Sequence, residues 1–215
     1  MTEWRQTEFL VLRKTFYSET SLVLAGLSAD HGQLHFMARG ARRWGRRDFP
    51  VADLFRVLAV TYRPGRGDLL SWHQAEVVED LGGVAQGMAT YAAAVRLAKF
   101  ALANAPAGLP APRFHRALRQ ALRWLARAAA GQEDGFAPAA TMAVAAWSGA
   151  TLAFLAEHGL LPADNTAAFA TLAPAPAVAV LAAAETEGAP PACDAAAWEC
   201  LDAWLRVTLA RAECR

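Results

Sequence analysis

The sequence predicts an α+β protein, with a small closed barrel of five β-strands followed by an Ala-rich α-helical domain. Composition changes sharply near residue 80. Alanine occurs 7 times in the first 80 residues and 45 times in the remaining 135, and the strand formers thin out at the same place. The Gly82–Gly83 pair marks the junction, giving domains at 1–80 and 81–215.

Five runs in the first domain read as strands. Phe9, Leu10, Val11 and Leu12 form the apolar centre of the first, and "SLVLAGLS" follows a short polar break. "QLHFMARG" alternates, placing Leu34, Phe36 and Ala38 inward and Gln33, His35, Met37 and Arg39 outward. Asp30-His31-Gly32 between the second and third runs predicts a tight hairpin turn. "LFRVLAVTYR" and "DLLSWHQAEVVE" flank Pro64-Gly65-Arg66-Gly67, another turn. Five short strands in about 75 residues suit closure into a barrel, which removes exposed edges. The one long connection lies between the third and fourth strands.

The second domain reads as helices over 84–105, 110–131, 138–158 and 195–213, with a Pro/Ala-rich stretch at 162–192 assigned no element. In the helix over 110–131, Arg113, Arg116, Arg119, Arg123 and Arg127 are spaced 3, 3, 4 and 4, so they fall within an arc of roughly 120°. Phe114, Leu118, Ala121, Leu122 and Leu125 occupy the opposite side. One face is predicted core and the other a stripe of guanidiniums.

The net charge of +1 conceals this asymmetry. Residues 1–80 carry 11 Arg/Lys against 10 Asp/Glu, residues 81–132 carry 7 against none, and residues 133–215 carry 3 against 10. Residues 135–156 are uncharged and long enough to span a bilayer. Their Ala, Gly, Ser and Thr content, with acidic flanks at Glu133, Asp134 and Glu157, predicts a buried helix and no membrane association. The start, MTEWRQTEF, has charges where an export signal is apolar. Cys193, Cys200 and Cys214 form no close pair, so the reading is a reducing, cytoplasmic setting with neither a disulfide framework nor a metal site.

"RGARRWGRR", in the long connection, sets Arg39, Arg42, Arg43, Arg46 and Arg47 around Trp44 with no carboxylate among them. Biased codon usage explains 19 Arg against 2 Lys, but not clustering. Five like charges in nine residues repel one another unless an anion or carboxylate neighbour screens them. Guanidiniums beside an aromatic ring combine phosphate contact with stacking, the chemistry of a single-strand binder. Phe36, Tyr62 and Trp72 lie on strands, where core packing is the stronger reading.

Val11-Leu12-Arg13, His31-Gly32-Gln33-Leu34, Ala38-Arg39-Gly40-Ala41-Arg42-Arg43 and Gln74-Ala75-Glu76 follow one another in an order that resembles the N-terminal domain of RecO, the bacterial recombination mediator family. The resemblance covers about the first 80 residues. Beyond them it rests on Ala-rich helices and on "AWSGATLAFLAEHGLLP". It implies an oligonucleotide-binding (OB) fold barrel before a helical domain, binding of single- and double-stranded DNA, strand annealing, action with a RecR-like protein, and recognition of the tail of single-strand binding protein. It also implies no nucleotide hydrolysis. Many members carry a four-cysteine zinc site, from which this chain departs: six residues separate Cys193 from Cys200.

Other chemistries lack support. There is no G-x-x-x-x-G-K-[ST] loop. His31, His35, His73, His115 and His158 are scattered, and Glu79 and Asp80 have no partner carboxylate placed for acid/base work. No catalytic residue and no cofactor is expected. The expected DNA contacts are Arg39, Arg42, Arg43, Trp44, Arg46 and Arg47, with the Arg113 to Arg127 stripe as a second surface for DNA or an acidic peptide. An alternative reading is an adaptor whose basic surfaces bind acidic peptides, with weak DNA contact.

Overall fold

The computed structural model describes residues 4–39, 51–64, 67–131, 138–162 and 166–214. The chain divides into two compact units, one of residues 1–82 and 105–112, the other of residues 83–104 and 113–215.

The first unit is built on five strands, β1 (Arg5–Phe16), β2 (Leu22–Ser28), β3 (Gly32–Ala38), β4 (Arg56–Tyr62) and β5 (Leu69–Asp80). They close in the order β1-β2-β3-β5-β4, with every neighbouring pair antiparallel except β3 and β5. This is the expected five-stranded OB-type barrel. Closure requires β1 to pair twice, from Arg5 to Leu10 with β4 and from Phe9 to Phe16 with β2. A bulge between Val11 and Arg13 lets the strand bend between its two partners. At the bend, the Val11 carbonyl accepts a 2.9 Å bond from the Phe55 amide, whose residue has φ 59° at the entry to β4.

Gly26 faces this bend. A methyl group there would stand 2.0 Å from the Leu10 carbonyl oxygen, so the strands cross too closely for any side chain. Inside the barrel, Phe9 meets Phe36 edge-on at 4.9 Å, and Phe36 meets Tyr62 at 5.3 Å, with Leu24, Leu58 and Val60 completing the core. Leu34, Phe36 and Ala38 join this core as expected. Met37, expected to face outward, is nevertheless buried, so strict alternation fails at that position.

The β2–β3 turn carries a strap from a distant part of the chain. Pro106 accepts from the Gln33 amide at 3.2 Å, while Gly108 and Ala111 donate to His31 and Ala29 at 2.9 Å each. Gly32, with φ +63°, admits the strap because a Cβ would fall 2.3 Å from the Pro106 oxygen.

The second unit contains α1 (Met88–Asn104), α2 (Pro112–Ala129, of which Pro112 itself belongs to the first unit), α3 (Ala139–Glu157), α4 (Thr166–Leu172), α5 (Pro176–Glu185) and α6 (Ala195–Arg211). A short 3-10 turn, Gly82–Gln86, precedes α1, so the helix expected over 84–105 is interrupted at Gly87. The stretch at 162–192 folds into α4 and α5, which the sequence reading left unassigned. Phe100, Phe114, Trp147 and Phe154 form an edge-to-face cluster with centroids 5.1–6.2 Å apart. The apolar helix α3 is long enough to cross a membrane, but 67% of its apolar window is buried inside the protein. It holds α2 by its end: the Glu157 carboxylate accepts from the amides of Phe114 at 2.7 Å and Arg113 at 3.3 Å, supplying partners that an N-terminus lacks.

Substituting Gly26→Ala forces the barrel to open at the crossing, and we expect a loss of about 1–3 kcal/mol in urea-induced unfolding.

Candidate nucleic-acid interface

The barrel determines where the sequence-predicted contacts stand. Arg39 is exposed at the end of β3. Arg42, Arg43, Trp44, Arg46 and Arg47 lie outside the described residues. Across the ladders, Ala38 pairs with Leu22 and Leu22 with Phe16, so the start of the basic run shares one end of the barrel with the β1–β2 hairpin.

Chain re-entry beyond the basic run is anchored by an ion pair. Lys14 on β1 bonds the Asp53 carboxylate, which also accepts from the Leu54 amide at 2.8 Å. Burial disfavours the charge on Asp53, but these bonds and the nearby cations Lys14 and Arg56 outweigh it and hold the carboxyl below its usual range. At the start of β4, Arg56 binds Asp80 through Nε at 2.9 Å and Nη2 at 2.8 Å, and Asp80 also accepts from Gly82. Asp80 therefore closes the β4–β5 ladder.

The strand aromatics divide by burial. Phe36 and Tyr62 are buried, and Trp72 packs against the same core, its ring stacked on Phe36 at 6.5 Å. They serve the core, as the sequence suggested. Trp4 is 44% exposed, with the Arg63 guanidinium 4.1 Å from its ring and His73 at 4.6 Å. The sequence reading missed Phe16 and Tyr17, exposed at 69% and 67% beside the β1–β2 turn. Their signal was present: two adjacent aromatics border the polar run Ser18-Glu19-Thr20-Ser21. His35 on β3 meets Gln33 at 3.1 Å. Burial, with the Arg13 charge, lowers its pKa against the opposing pull of Asp68, favouring the neutral ring.

The α2 stripe has a mixed character. Phe114, Leu118, Ala121, Leu122 and Leu125 are fully buried, as expected of the opposite face. On the stripe, Arg113 pairs with Glu185 at 2.8 Å, Arg116 reaches the Glu185 carbonyl at 3.4 Å, and Arg123 pairs with Glu187 at 2.8 Å. Beneath them, Gln120 and the buried Trp124 both donate to the Gly188 carbonyl at 2.9 Å. Arg127 is exposed and Arg119 half-buried. Arg113 and Arg123 are thus bound by carboxylates at the end of α5 and just beyond it, which ends the picture of five uncompensated charges. Sequence spacing could not show this, because the carboxylates lie more than 60 positions away.

No group of three or more His, Cys, Asp or Glu able to share a metal ion occurs among the described residues. The chain's three cysteines are free thiols, so its residues do not fit a four-cysteine zinc site.

Substituting Asp53→Asn removes a carboxylate whose folded-state pKa is lowered. The stability it supplies is present above about pH 4 and is lost as pH falls through the folded value. Because the pair is partly exposed, we expect a loss of about 1 kcal/mol or less at pH 7, read by denaturant unfolding, with the two proteins converging in acid.

A comparison with the known protein families matches residues 1–81 to the family described as Recombination protein O N terminal. No curated protein matches the chain significantly. The matched residues are those of the five-stranded barrel, so the likeness is to a domain of a recombination protein. By this match, residues 1–81 are similar to a RecO N-terminal domain.

Proposed function

We propose that the protein is a non-catalytic, cytoplasmic mediator of recombinational repair that binds single- and double-stranded DNA, anneals complementary strands and loads recombinase together with a RecR-like protein. The observation that carries this reading is the match of the barrel to the RecO N-terminal family. Arg39, exposed where β3 ends, opens a run of five arginines, and the run's position in an OB barrel suits backbone contact. In this reading Arg39, Arg42, Arg43, Arg46 and Arg47 bind phosphates, Trp44 stacks on a base, and none of them reads sequence.

The α2 stripe plays a lesser part for DNA, since Glu185 and Glu187 already engage Arg113 and Arg123. A second reading, in which the helical unit receives the acidic tail of single-strand binding protein, draws on a different feature. A groove bordered by Leu160, Leu172, Trp204 and Val207 has Arg211 on its lining, so apolar side chains and a cation stand together. An acidic peptide with apolar residues suits that combination.

If all five loop arginines touch phosphate, single-strand affinity plotted as log K against log salt has a slope near about −3.5, at ~0.7 per contact. Fluorescence anisotropy with a short oligonucleotide measures it. Replacing the five arginines by Ala should bring the slope close to zero. A slope already near zero in the intact protein, or one unchanged by the substitutions, contradicts the reading. Peptide binding that survives these substitutions and fails on Arg211→Ala would favour the adaptor.

A further inference from the structure

The end of α5 lays a row of oxygens along the basic face of α2, all from the consecutive residues Glu185 to Gly188. The Glu185 carboxylate accepts from Arg113 Nε at 2.8 Å and its carbonyl from Arg116 at 3.4 Å. The Glu187 carboxylate pairs with Arg123 at 2.8 Å, and the Gly188 carbonyl accepts from Gln120 and Trp124 at 2.9 Å each. Residues 81–132 contain no carboxylate of their own, so any that meets these guanidiniums has to come from another element.

The turn that delivers them is built against local preference. The Thr186 amide donates to Ala182 and the Gly188 amide to Ala183, both at 2.9 Å, wrapping the end of the helix. Between them Glu187 has φ 60°, the left-handed position that glycine usually fills at a helix end. Here glycine stands one residue later, and the strained position is given to the side chain that reaches Arg123. Strain held in this way points to a role beyond ending a helix. The attachment also has two layers. The buried Gln120 and Trp124 fix the backbone at Gly188 without using charge. The ion pairs lie outside them, with the Arg113 side chain 46% exposed and that of Glu187 55%. Ion pairs so exposed are weak and are exchanged readily for other ions, so the carboxylates can give way while the turn stays in place.

The length of the row identifies what replaces them. From Arg113 to Arg123 it covers about 15 Å of helix, over which one strand of a duplex carries about four phosphates. An acidic peptide reaching both ends would have to repeat the left-handed turn of Glu187, whereas a phosphate backbone carries its charges at every step. We propose that Glu185 and Glu187 stand in for phosphates within the chain, masking the α2 face in the free protein and yielding it to a nucleic-acid backbone. This autoinhibitory contact rests on the DNA-binding reading above and adds to it a second, guarded surface.

The test compares the full chain with its E185Q/E187Q variant and a charge-matched E199Q/E213Q variant, Glu199 and Glu213 being exposed carboxylates of the same unit. Each is titrated with a short single-stranded oligonucleotide over a range of salt, by fluorescence anisotropy. E185Q/E187Q is expected to bind about tenfold more tightly at low salt and to steepen the slope of log K against log salt by about 1.4, two contacts at ~0.7 each. E199Q/E213Q leaves the slope as it is, and adding R113A and R123A to E185Q/E187Q abolishes the gain. Glu187→Gly gives the left-handed position its usual residue, so it folds even where the double variant does not, and it shows about half the change in slope. A slope in E185Q/E187Q equal to that of the intact and charge-matched proteins overturns the mask and leaves the DNA-binding reading standing. A gain that survives R113A and R123A, or one seen with a poly-glutamate peptide in place of the oligonucleotide, overturns it as well. Absence of salt-dependent binding in every protein defeats both.

Discussion

The shared pairing of β1 is the constraint on which the barrel depends. One twelve-residue strand must satisfy β4 along its first half and β2 along its second, and a strand can do so only by bending. The bulge after Val11 provides the bend, Gly26 provides the space, and Phe55 takes up the carbonyl that the bulge leaves over. With β1 so placed, β3 and β5 meet in parallel and no strand edge remains open. The same bend sends the C-terminal half of β1 out to the hairpin tip, so the closure of the core and the presentation of Phe16 and Tyr17 have one origin.

Local pattern made much of the barrel legible. The five strand runs and the β2–β3 turn stand out because alternation and turn chemistry are short-range signals. The parallel β3–β5 closure is not encoded locally, since it joins residues more than 30 positions apart. Met37 shows the limit of alternation, being buried on the side the pattern reserves for solvent. In the helical unit, α3 announced itself by length and hydrophobicity. The short α4 and α5 did not, because Pro and Ala in 162–192 give little periodicity and few caps. The Ala105–Pro112 strap was illegible for a related reason: its bonds to the β2–β3 turn are made by backbone groups, which any sequence possesses.

Charge was the least complete guide. The arginine spacing on α2 correctly separated a buried face from a polar one, yet Glu185 and Glu187 come from another element and claim two of its cations. The tip aromatics were overlooked for a similar reason. The exposure of Phe16 and Tyr17 is a property of the folded hairpin, and their sequence neighbourhood is compatible with burial as well.

Hydrogen–deuterium exchange of the full chain, with and without a saturating single-stranded oligonucleotide, tests the central claim that one end of the barrel receives DNA. The account predicts new protection around residues 13–22 and from residue 38 through the arginine run, with α2 unchanged. Protection confined to α2, with the hairpin and the end of β3 exchanging as in the free protein, would contradict it.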